Sequence, residues 1–114
     1  YKEGYVGRAA GFDFVENTMW PSHTRGGSNG AYLTNGATQT GATLAVDTGA
    51  NAPAQGDVFT IASVYSVHPE TKQSTGILQQ FVVGSGATTT SWPISPAIVA
   101  TGANQNVSSS AADN

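Results

Sequence analysis

Chemistry needs particular side chains brought together, and this sequence offers few candidates. His23, His68 and Glu70 are its only plausible metal ligands. A zinc site takes three or four ligands from a rigid frame. Two distant histidines and one carboxylate form no such motif, so they read as surface residues and no metal or cofactor is expected. A serine nucleophile needs a base and an orienting group. No serine sits in a Gly-x-Ser-x-Gly elbow; Val83-Gly84-Ser85-Gly86 lacks the first glycine. Paired carboxylates for glycoside chemistry would come from Asp13, Glu16, Asp47, Asp57 and Glu70. Asp13 and Glu16 fall on opposite faces of a strand, because side chains alternate. Asp57 follows Gly56 at a strand entrance, where a turn-stabilising carboxylate is expected. Trp20, Trp92 and Tyr32 could stack on a sugar, but core packing, or burial beneath another domain of a parent protein, suits them better. Gly26-Gly27 and Gly84-x-Gly86 precede no helix, so neither has the context of a phosphate cradle. The chain is not expected to be an enzyme.

The elements that would position these residues are strands. Gly, Ala, Ser, Thr and Asn dominate, and strong helix formers never recur with a 3.6-residue period. Phe12 to Met19 alternates as a strand that Pro21 closes. Thr24 to Gly30 is a glycine-rich loop, expected to be too free to hold one conformation alone. Ala31 to Thr34 and Thr43 to Val46 are short strands around an Asn35-Gly36 turn. Val58 to Val67 is the strongest β segment, with a bend or bulge at Ala62-Ser63. His68 to Gly76 is a polar loop, and Ile77 to Val83 is a strand turned by Gly84-Ser85-Gly86. Ser91 to Ile94 and Pro96 to Val99 read as short, proline-limited edge strands. Turn signals about every ten residues indicate a sandwich or small barrel. The expected core is Phe12, Phe14, Val58, Phe59, Ile61, Val64, Ile77, Phe81 and Val83.

Length and charge bound the rest. The 114 residues make one domain. Only 10% are charged, the net charge is -3, and Lys2, Arg8, Arg25 and Lys72 are scattered. That is no electrostatic footprint for nucleic acid. No apolar run approaches the ~20 residues of a membrane span, and no signal peptide opens the chain. Without cysteine, stability must come from packing and ladders. The chain opens at Tyr1 without methionine and ends in a polar tail, as expected of a segment from a longer polypeptide.

Several runs, in order and spacing, resemble one family. They are Arg8-Ala9-Ala10-Gly11-Phe12-Asp13-Phe14-Val15, Gly56-Asp57-Val58-Phe59-Thr60-Ile61, His68-Pro69-Glu70-Thr71-Lys72-Gln73-Ser74-Thr75-Gly76, Leu78-Gln79-Gln80-Phe81-Val82-Val83 and Ile94-Ser95-Pro96-Ala97-Ile98. Together they look like the insertion domain of the major coat protein of short-tailed phages related to Salmonella phage P-twenty-two. The resemblance covers nearly the whole chain. It implies an all-β fold: a small antiparallel, Greek-key-like barrel of about six strands with long loops, inserted into the Hong Kong ninety-seven capsid fold. It further implies roles in coat-subunit folding, capsomer stabilisation and capsid assembly or size control. The implied partners are other coat subunits, the rest of the same coat protein and, indirectly, scaffolding protein. The implied location is the virion capsid, made in the bacterial host cytoplasm. In the family a long loop forms salt bridges to a neighbouring capsomer. The corresponding stretch here, Thr24 to Gly41, holds Arg25 but no acidic residue. Contacts would then rest on Arg25, Asn29, Tyr32 and Asn35. His68, Glu70 and Lys72 lie in a second family loop, linked to capsid size. A stand-alone carbohydrate-binding or capsid-decoration module is the competing expectation.

Overall fold

The computed structural model describes residues 5–109. The fold is all-β, as the sequence predicts. A curled antiparallel six-stranded sheet forms a half-barrel, and a separate two-stranded sheet lies apart from it.

The small sheet is a hairpin of β1 (Tyr5–Ala9) and β2 (Phe12–Val15). Its turn places Ala10 and Gly11 at φ of 49° and 81°, the pair of positive angles that lets a two-residue loop match the strand twist. The larger sheet runs β3 (Leu33–Thr34), β4 (Gly41–Asp47), β7 (Ser91–Ile98), β6 (Ser74–Val83), β5 (Val58–Val67), β8 (Val107–Ser109). Its concave face holds the core: Leu44 and Val46 from β4, Phe81 and Val83 from β6, Trp92, Ile94 and Ile98 from β7, and Val107 from β8. Each set follows the two-residue alternation of a pleated strand. Phe59, Ile61 and Val64 of β5 pack against this core half-buried. Ser63 has a φ of 62°, and the β5–β6 register shifts between Thr60 and Tyr65. That bulge resets the alternation, so Ile61 and Val64 both reach the core.

Four expected core residues are exposed: Phe12 by 70%, Phe14 by 49%, Val58 by 61% and Ile77 by 69%. Phe12 and Phe14 sit on the β1–β2 hairpin, which forms no ladder with the half-barrel. Val58 is one step out of phase with Phe59 and Ile61, so it faces away from the core. Ile77 lies in the far half of β6, beyond the reach of β7, which pairs with β6 only at Val82 and Val83. Its face there has nothing above it to be buried against.

The two expected edge strands before and after Ser95 are one strand, β7, and it is central, between β4 and β6. Its prolines cannot donate to a ladder, but their carbonyls still accept; Gly84 N–H donates to Pro93 O at 2.8 Å. The strand expected from Phe12 to Met19 runs to Val15, and among the described residues no strand pairs with Glu16 to Trp20. The molecule measures 58 × 38 × 19 Å with a radius of gyration of 18.8 Å. A compact chain of this length would have a radius of ~13 Å, so the protein is elongated.

Candidate functional site

The residues that do most to organise the surface gather around Asp57. This carboxylate lies at the mouth of β5, on the turn Ala54 to Asp57. It accepts the N–H of Ala54 at 2.8 Å, which closes its own turn. It also accepts Gly26 N–H at 3.0 Å and His23 Nε2–H at 2.7 Å. One side chain thus ties the segment around residues 23–26 to the entrance of β5. Gly26 fits because its Cα presses on the backbone of Pro53 and Ala54, where any Cβ would collide.

The glycine-rich stretch expected to be loose is therefore fastened at Gly26, and Arg25 further donates to Ser28 O at 2.7 Å. Sequence reasoning found the turn-closing role of Asp57 but not its partners 31 and 34 positions away. No local pattern marks such a contact.

Fastened this way, the strap forms one wall of a groove of about 250 Å³. Tyr32 and Leu33 continue that wall, Val58 to Ala62 of β5 form the other, and Leu44, Val46 and Trp92 make the floor. Tyr32 stands edge-on to Trp92 with ring centroids 4.7 Å apart. Its hydroxyl donates to Asn51 O at 3.0 Å. Phe59 meets the same indole at 5.1 Å, and Trp92 Nε1–H donates to Thr88 O at 2.9 Å. Trp92 is thus a buried core residue and not a surface stacking platform.

The other expected site residues do not converge here. Asn29 is exposed and its side chain accepts Ala31 N–H at 3.2 Å. Asn35 is exposed and its backbone N–H donates to Ala45 O at 2.9 Å. His68 is exposed on the β5–β6 loop, where its Nδ1 accepts the N–H groups of Glu70 and Thr71. Lys72 reaches Gln105 O at 3.5 Å. Arg25 and Tyr32 both line the groove, Tyr32 also packing on Trp92.

Among the described residues no three His, Cys, Asp or Glu side chains come together to hold a metal. Besides His23, Asp57 holds two backbone N–H groups of different segments. That geometry makes a clasp. The hydrogen bond from His23, with those from Ala54 and Gly26, holds the Asp57 carboxyl below its ordinary value of 3.8 against an opposing push from desolvation. A depressed folded value contributes stability that is complete above the ordinary value and is lost as pH falls through the folded one. Acid below about pH 4 is therefore expected to loosen the strap. Thermal melts across that range should show a steeper loss for the native chain than for Asp57→Asn; parallel curves would show that the clasp does not feel pH.

No protein-family model, curated protein or solved structure matches the chain.

Proposed function

We propose that this chain is the insertion domain of a phage major coat protein, a structural module and not an enzyme. In this reading it aids folding of the coat subunit, stabilises capsomers and influences capsid assembly and size. Its partners are the remainder of its own coat protein and neighbouring subunits, scaffolding protein acting only indirectly. It resides in the virion capsid, after synthesis in the bacterial cytoplasm. The sequence runs quoted above suggest the family.

The structural observation that carries the reading is the apolar surface of the β1–β2 hairpin and the segment after it. Phe12, Phe14 and Val15 are exposed there, and Met19 and Trp20 are 85% and 87% exposed. The three aromatic side chains alone offer roughly 300–500 Å² to solvent, taking ~150–250 Å² for a whole one. That total is as large as the largest contiguous apolar patch of a typical monomer, and exposed apolar surface of this extent suggests an interaction site. A domain set within a larger subunit has a use for such a surface, because the rest of the subunit can cover it.

The test uses paired measurements on Phe12→Ser, Phe14→Ser and Trp20→Ser combined. The isolated chain is expected to melt within about 0.5 kcal/mol of the parent, since the sites are exposed. The full coat protein bearing the same changes is expected to lose most of its assembled particles. Normal particles from the triple variant would remove the basis of the reading. Glycan binding that depends on Trp20 would instead favour the stand-alone module.

A further inference from the structure

The half-barrel is open along one seam, and the groove lies in it. β3 ends the sheet on one side. On the other side, among the described residues, β8 pairs with β5 at Val64, Tyr65 and Ser66. Among the described residues, the first part of β5 pairs with β6 at Val58, Phe59 and Thr60, and its other edge from Val58 to Ala62 meets no strand. Hydrogen-bonding direction alternates along an antiparallel strand. Asp57 O accepts Val83 N–H at 2.9 Å, so Phe59, in phase with it and paired with Phe81, bonds toward β6. The N–H and C=O of Val58 and Thr60 therefore point outward, into the seam.

We propose that this seam receives an extended peptide segment of a partner protein, which adds as a strand to Val58–Ala62 in line with β8. Three observations specify the occupant. The first is the stretch of β5 backbone that is unpaired among the described residues, which a strand satisfies by main-chain bonds. It continues an existing ladder, because β8 already pairs antiparallel on the same edge from Val64 onward. The second is the floor of Leu44, Val46 and Trp92, which suits every second side chain of an added strand if that residue is apolar. An engineered apolar cavity of ~150 Å³ holds a benzene ring, so about 250 Å³ takes at least one large apolar side chain. The third is charge. Asp57 has its carboxylate engaged by three donors. Arg25 lines the same groove, and no ion pair engages it among the described residues. The occupant is thus an alternating apolar and polar segment with a carboxylate placed to meet Arg25. The inference is independent of the coat-protein reading, since any partner carrying such a segment satisfies it.

The test uses a panel of blocked peptides of five to seven residues, alternating valine or leucine with threonine and ending in aspartate. Amide hydrogen exchange is followed residue by residue in the full 114-residue chain. Binding is expected to slow exchange at Val58 and Thr60 while leaving Phe59 unchanged. N-methylation of the peptide's bonding amides is expected to abolish the effect although every side chain remains. Arg25→Gln is expected to weaken acidic members about tenfold and to leave amide-ended members unaffected. Thr60→Pro removes an outward N–H at an edge, where proline is tolerated, and should weaken all members; should it misfold, the N-methyl peptides supply the same information. The proposal is overturned if no member of the panel protects Val58 and Thr60 at ~1 mM, the weak limit of measurable affinity, or if N-methylated peptides bind equally well. It is also overturned if the two amides are already protected and removal of residues 110–114 exposes them, since the occupant would then belong to this chain.

Discussion

Phe81→Ala is expected to lower the folding free energy by about 3–5 kcal/mol, the range for emptying a fully buried phenylalanine site. Phe81 has no exposed surface and sits where β6 runs beside both β5 and β7. Its ring meets Phe59 at a centroid distance of 5.7 Å. Neighbours held by ladders on both sides cannot collapse far into the space left behind, so the cavity term stays large. A domain of this kind has only about 5–15 kcal/mol in total, so the loss is a large share. Urea unfolding should show a lower midpoint with an unchanged slope. Ile77→Ala on the same strand face is the contrast, with an expected change within about 0.5 kcal/mol. Equal effects for the two variants would mean that the core does not end where β7 leaves β6.

Trp92→Ala is expected to rival it, again at about 3–5 kcal/mol, with a different local signature. The indole is the meeting point of Tyr32 and Phe59, and edge-to-face pairs contribute about 0.5–1.5 kcal/mol each beyond burial. Removing it takes the floor from the groove and the seat from Tyr32. Amide exchange at Tyr32 and Leu33 should therefore accelerate more than the global loss of stability accounts for. Trp92→Phe keeps an aromatic ring but leaves Thr88 O without its donor, and should cost nearer 1 kcal/mol. If Trp92→Ala leaves Tyr32 and Leu33 exchanging like the rest of the sheet, the groove wall does not depend on this ring.

The open seam and the exposed hairpin share a physical logic. A half-barrel leaves strand edges that a closed barrel would abolish. Bare edges and bare aromatic surface are both liabilities for a chain alone in water. Both become assets when another polypeptide covers them, which is how the proposals for the hairpin and for the seam fit one molecule. They remain separable, because serine substitutions on the hairpin leave β5 untouched, and Thr60→Pro leaves the hairpin untouched.

Much of the β architecture was decided by local sequence. The alternation of Leu44 with Val46, and of Phe81 with Val83, is readable from apolar spacing, because a pleated strand repeats every two residues. So is the bend at Ser63, where small polar residues interrupt the longest β run, and the turn closed by Asp57, whose partner Ala54 lies three positions away. What the sequence could not determine is which apolar faces meet. Phe12 and Phe14 alternate as well as any core strand, yet their hairpin has no sheet to pack on. Trp92, Ile94 and Ile98 lie among prolines that suggest an edge, yet β4 and β6 flank them on both sides. Burial depends on the neighbour that arrives from elsewhere in the chain. The same holds for the site. Gly26 and His23 reach Asp57 across more than thirty residues, and the groove exists only because β3 and the first half of β5 stop short of each other. Closure of a sheet is a long-range property of strand number and curvature, and no local pattern of residues carries it.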